Sequence, residues 1–137
     1  MSAAFQFDLV SPESILMSHP VTQVVIPGSK GDFGVLADHA PLLSSIRSGV
    51  IRVTYENGEK HMVFVSGGFA DVNGSLCTVL AEEAVNLDDL DAEELKAVIG
   101  ELEANHKENI GMEEEHYIRR QLEIMLAKLD AVKTYKF

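Results

Sequence analysis

Two Asn-Gly pairs constrain this chain more than any other feature. Asn57-Gly58 separates Val50–Tyr55, a run rich in β-branched residues, from Lys60–Val65, and Asn73-Gly74 separates Phe69–Val72 from Ser75–Ala81. Asn-Gly between two such runs is a strong local signal for a hairpin, because both residues tolerate positive φ. The pairs predict two tight turns, each centred on its Asn-Gly. The start of the chain alternates in the same way, with Phe5, Phe7 and Leu9 on one face and Gln6 and Asp8 on the other. Many short strands joined by close turns predict an all-β sandwich or barrel, which also limits exposed edges.

The pattern changes near residue 85. Eight of the ten glycines and all four prolines come before that point. Residues 1–81 carry seven acids and four bases, a balance of −3, whereas residues 82–137 carry fifteen acids and seven bases, a balance of −8. Helical spacing takes over. Asp91 and Glu94 form an N-cap and capping-box pair, and Leu95, Val98, Ile99 and Leu102 follow at i, i+3, i+4 and i+7. His106 and Lys107 suit the negative end of a helix dipole, and Gly111 suits a left-handed break. Glu113, Glu114 and Glu115 then suit the first turn of a second helix, whose stripe is Ile118, Leu122, Met125, Leu129 and Val132. Two such helices on a short loop bury their stripes as an antiparallel hairpin. The reading is a β-sandwich over residues 1–86 and a helical hairpin over 87–137.

Charge and composition exclude several classes. A net charge of −11 argues against DNA or RNA as a partner and against direct attraction to an anionic membrane. The longest apolar runs, Val24–Ile26 and Met62–Val65, are strand-sized, far short of the ~20 residues of a membrane span. The first residues show neither a basic apolar leader nor an Arg-rich transit pattern. The one cysteine, Cys77, sits in an alternating run and reads as a small buried hydrophobe in a reducing compartment.

Few residues suggest chemistry. The stretch Pro27–Gly34 is Gly-rich but has no Gly-Lys-Ser/Thr and opens no capped helix, so it reads as a turn or interaction loop, not a phosphate cradle. Asp38 and His39 are adjacent, and neighbours on an extended chain point apart. Ser44 and Ser45 lack a nucleophile elbow. His19, His61, His106 and His116 have no metal-ligand spacing, and the acidic clusters at Glu82-Glu83 and Asp88–Asp91 lack a calcium-loop pattern. No catalytic residue and no metal site is expected.

The run from Pro27 through Gly31, Gly34, His39, Ala40, Pro41, Leu42 and Leu43 resembles the signature of the epsilon-subunit family of F-type ATP synthases, which includes the mitochondrial delta subunit. That signature is roughly Pro/Thr-Gly-x-x-Gly-x-x-Gly-hydrophobic-x-x-x-His-Ala-Pro-Leu-Leu. Phe7–Glu13, Ser66–Phe69 with Val72, and Thr78–Ala81 with Ala84 agree with further family segments, so the similarity runs the length of the chain. The resemblance implies a non-catalytic rotor subunit at the cytoplasmic face of a bacterial inner membrane, peripheral and held there through its complex. Its implied partners are the gamma subunit and the c-subunit ring, with the alpha and beta subunits reached through the hairpin. It implies that Ser29, Lys30, Asp32 and Phe33 face the ring, that His39 lies near the gamma and ring contacts, and that Gly28, Gly31, Gly34 and Pro41 shape the loop.

Some bacterial members bind ATP through Ile/Leu-Asp-x-x-Arg-Ala on the hairpin. Here Leu90 and Asp91 match, but Glu94 stands in place of the arginine and Leu95 in place of the alanine. A carboxylate there repels a triphosphate, so no cofactor is expected and the hairpin's restraint on ATP hydrolysis is expected to be weak. The competing readings are a free-standing β-sandwich adaptor and an enzyme built on Asp38, His39 and a serine. Co-purification with gamma discriminates the first, and a hydrolase assay the second.

Overall fold

Alternation in the first segment becomes burial. In the computed structural model, which describes residues 3–136, Phe5, Phe7 and Leu9 of β1 (Phe5–Val10) are buried and face one core. The chain divides into two compact units, Met1–Asn86 and Leu87–Phe137.

The first unit is a nine-stranded β-sandwich. After β1 come β2 (Ile15–Gly28), β3 (Gly31–Val35), β4 (His39–Ile46), β5 (Gly49–Tyr55), β6 (Lys60–Val65), β7 (Gly68–Gly74), β8 (Leu76–Ala81) and β9 (Ala84–Asn86). The strand order is β1-β8-β7-β4-β2-β5-β6-β9, with β3 on β2 and a further β1–β2 pairing. The long strand β2 joins the layers. It pairs with β1 up to Val21, which also faces Tyr55 of β5, and a bulge between Val21 and Gln23 marks the change of partner. β1 runs parallel to β8, and the remaining pairings are antiparallel.

Val21, Val24, Ile26, Val35, Ile51, Val53, Val65, Val72 and Val79 fill the core between the layers. Each fully buried side chain of this size contributes about 1.5–3 kcal/mol. Cys77 belongs to the same cluster. Burial, reinforced by the charge of Asp71, pushes its thiol up from 9.0 to about 12, so it behaves as an apolar side chain.

Both Asn-Gly hairpins form, with turns other than those expected. Among the described residues, Asp38 is the one non-glycine at positive φ, so Asn57 and Asn73 are not left-handed. At the first turn Tyr55 N–H donates to the Glu59 carbonyl at 2.8 Å, which leaves a three-residue loop closed by Gly58 at φ 88°. Asn57 Oδ1 accepts from Glu59 N–H at 2.9 Å, so this asparagine acts through its side chain. At the second turn Asn73 pairs with Leu76, and the loop is Gly74-Ser75. Positive φ at Gly74 alone is the pattern of a type II′ turn.

The second unit is a two-helix hairpin: a short 3-10 turn at Leu87–Asp89, then α1 (Ala92–Glu108) and α2 (Glu115–Tyr135). Asp91 is the N-cap of α1, and its carboxylate accepts from Glu93 N–H at 2.9 Å. Leu95 and Ile99 are buried, but Val98 is 38% exposed and stands outside the expected stripe. At 3.6 residues per turn Val98 lies about 60° off the direction of Leu95, at the margin of the buried face. Gly111, at φ 82°, makes the expected left-handed break. Turn bonds from Met112 N–H to the Asn109 carbonyl and from Glu115 N–H to the Met112 carbonyl prolong the connection. Glu113 and Glu114 therefore precede α2 and only Glu115 falls in its first turn. Glu115 ties the loop down by accepting from Gly111 N–H at 3.2 Å, with His106 Nε2 3.6 Å from its other oxygen. At the opposite end, Lys136 Nζ donates to the Leu90 carbonyl at 2.9 Å. Ile118, Leu122, Met125 and Leu129 are half-buried and Val132 is buried.

Candidate partner-binding surface

The β2–β3 hairpin carries the Gly-rich motif at its tip. Gly28 pairs with Gly31, which leaves Ser29-Lys30 as a two-residue loop. Gly28 is there because no side chain fits: a Cβ would lie 2.7 Å from the Gly31 carbonyl oxygen and 2.9 Å from the Phe33 ring. Gly31 serves through its conformation instead, at φ 131° with open space around it. Gly34 has an ordinary backbone and a roomy site, where the nearest neighbour to an added Cβ is the Gln23 amide at 3.8 Å. Of the three glycines expected to shape the loop, two have a structural requirement for glycine.

A residue that sequence reasoning passed over holds the hairpin's neck. Arg47, just after β4, donates from Nη1 to the Gly28 carbonyl and from Nη2 to Asp32 Oδ1, both at 2.6 Å. Its own N–H bonds the Pro27 carbonyl at 2.9 Å. One side chain thus spans the strand before the loop and the strand after it. Arg52 of β5 approaches the second Asp32 oxygen at 3.8 Å. Ser29 adds two ties to β4, its N–H to the Ser45 carbonyl at 3.0 Å and its hydroxyl to the Ser45 hydroxyl at 2.9 Å. Asp32, expected to face the ring, has its carboxylate committed to two guanidinium groups. Phe33 is half-buried against the sandwich core, so it anchors β3 as well as lining the surface.

Between this hairpin and β4 lies an open groove of about 580 Å³, lined by Lys30, Asp32, Phe33, Leu42, Leu43 and Ser45 among others. It continues onto the outer face of the sheet. There Phe69 on β7 and Leu80 on β8 stand directly opposite each other and are 56% and 48% exposed. Leu43, diagonal to Phe69, is 72% exposed. Neighbouring exposed apolar side chains rimmed by polar ones mark interaction surfaces.

His39 and Pro41 are not part of this groove. They open β4, whose other end, Ile46, pairs with Gly28, so almost the whole strand separates His39 from the loop. His39 lies beside the Gly74 turn, with Nδ1 2.7 Å from the Ala40 carbonyl. Pro41 occupies the register shift between His39 and Leu42, where the ladder does not need its missing N–H. Asp38 is the left-handed residue of the turn before β4. On the helical unit Leu90 is buried, the Asp91 carboxylate caps α1, and Glu94 is exposed. Among the described residues no cluster of three or more His, Cys, Asp or Glu is arranged to hold a metal, and no helix is long and apolar enough to cross a membrane.

Residues 4–87 match the family model described as ATP synthase, Delta/Epsilon chain, beta-sandwich domain. An ATP synthase epsilon chain of Agrobacterium fabrum is 43% identical over 122 residues, covering 85% of this chain and 90% of that one. An ATP synthase epsilon chain of Rhodospirillum rubrum is 51% identical over 98 residues, covering 71% and 72%. In solved structures, a chain in the cryo-EM structure of the Euglena gracilis mitochondrial ATP synthase, OSCP/F1/c-ring, superposes with a TM-score of 0.80 at 27% identity, covering all of this chain and 84% of its own.

Proposed function

This chain belongs to the delta/epsilon chain family of ATP synthases, and from that premise we propose that it couples rotation of a c-subunit ring to ATP synthesis as a link in the central stalk. It is a non-catalytic subunit of that complex. In this reading the exposed outer face of the sandwich, at Leu43, Phe69 and Leu80, packs on the gamma subunit, and the braced β2–β3 hairpin rests on the ring. The observation that carries the reading is this hairpin. Its tip is exposed, yet Arg47, Asp32, Ser29 and Ser45 hold its base rigidly, as a surface that transmits torque requires. The chain then sits at the cytoplasmic face of the inner membrane and is peripheral through its complex.

The helical hairpin has a lesser role in this account. Its ends are tied within the unit, by Glu115 to Gly111 and by Lys136 to Leu90. Glu94 opposes a triphosphate, so ATP does not set its conformation. The hairpin meets the alpha and beta subunits rarely and restrains hydrolysis modestly. The test is ATP-driven proton pumping in membranes stripped of this chain. Adding back the full chain is expected to restore pumping, and pumping that is indifferent to its presence would overturn the reading.

A further inference from the structure

Residues 1–86 contain four Lys and Arg side chains: Lys30, Arg47, Arg52 and Lys60. Three of them meet at the β2–β3 hairpin, and the fourth, Lys60, begins β6 beside the β5–β6 turn. The one carboxylate lining the groove, Asp32, is taken up by Arg47 and Arg52. Asp71 of β7 stands directly opposite Leu43 at the outer wall of the groove, and Glu82 lies beside Gly67, past the end of β4. Lys30 at the tip is exposed and has no hydrogen-bond or ion-pair partner among the described residues. On a chain of net charge −11, the groove's own carboxylate, Asp32, is already paired, while the groove itself carries one cation, Lys30. Phe33, Leu42 and Leu43 form apolar walls beside it, and a pair formed there is less screened than one in open water.

We propose that this groove receives a carboxylate-bearing protein loop, with Lys30 as the ion-pair partner of the carboxylate. The inference rests on the function proposed above, in which that loop belongs to the ring. Charge complementarity selects the partner: an acidic loop is attracted, and a basic one meets Lys30, Arg47 and Arg52. A lipid phosphate is the poorer match, because one unpaired lysine on so acidic a chain gives little attraction to an anionic bilayer.

The test measures binding of the full chain, joined to its gamma subunit, to purified c ring. At about 50 mM NaCl, Lys30→Glu is expected to weaken binding about three- to tenfold while Lys30→Arg and Lys60→Glu leave it unchanged, and at about 500 mM NaCl the difference is expected to fall below about twofold. Unchanged circular dichroism shows that the variants fold. Ring binding by wild type that Lys30→Glu does not weaken would overturn the inference and leave the ring contact standing. Absence of ring binding by wild type would overturn both. Lys30-dependent sedimentation of the chain with phosphatidylglycerol vesicles would also overturn the inference by assigning the groove to lipid.

Discussion

Replacing Arg47 with methionine keeps much of the aliphatic stem and removes the guanidinium that spans the hairpin neck. Two charge-assisted bonds go with it, one to the Gly28 carbonyl and one to Asp32. Buried, such bonds contribute about 1.5–3 kcal/mol each. Here the side chains of Arg47 and Asp32 are 48% and 44% exposed, so water screens the pair and takes up the freed groups. A contribution of about 0.5–1 kcal/mol per bond is the appropriate scale, about 1–2 kcal/mol together. The loss is local, since the sandwich core does not include Arg47. It is best read by amide hydrogen exchange at Ser29, whose N–H bonds the Ser45 carbonyl across the same neck. Protection there is expected to fall about five- to thirtyfold, with core amides such as Val24 and Val72 little changed. Arg47→Lys, which cannot fork to both acceptors, is expected to recover only part of the protection. Unchanged protection at Ser29 would refute the bracing argument, and an equal loss across the core would show that Arg47 supports the whole sandwich.

Other expectations follow from the same geometry. Gly28→Ala forces a Cβ against the Gly31 carbonyl and the Phe33 ring, at an expected cost of about 1–3 kcal/mol in urea unfolding, whereas Gly34→Ala should be near neutral. Cys77 should resist thiol reagents near pH 8 in the native state and react freely in urea. Because folding raises its titration from 9.0 to about 12, stability held below the unfolded value is expected to decline as pH rises from about 9 towards 12. Leu122→Asp puts a charge on the half-buried stripe of α2, and helical circular dichroism should fall while the β-sandwich survives, a result read by comparing thermal melts of the two signals. Titration calorimetry with Mg-ATP should show no binding tighter than about millimolar, and micromolar affinity would restore nucleotide sensing despite Glu94.

The fold was legible wherever a local pattern decides structure. Phe5, Phe7 and Leu9 announce a one-sided strand, Asp91 opens α1, and Gly111 marks the break between the helices. Turn geometry was less legible, because it depends on register. Asn73-Gly74 looked like the loop, but pairing of Asn73 with Leu76 places the loop at Gly74-Ser75. The site divides in the same way. The glycines and Lys30 stand together in sequence and can be read there. Arg47, just after β4, and Arg52 of β5 reach Asp32 from fifteen and twenty residues away, and no local signal joins them. Asp32, read as a contact residue, is exposed and is also an anchor of the hairpin neck. His39, expected near the gamma and ring contacts, stands beside the Gly74 turn, almost the whole of β4 away from the Gly-rich loop.

The most direct test of the central claim is the composition of what comes away with the chain from its own membranes. Purified through a tag on the full-length chain after mild detergent extraction, it should bring gamma, alpha, beta and the c ring, with one copy of this chain per gamma. Recovery of the chain alone, or with proteins unrelated to the synthase, would contradict the assignment to the central stalk.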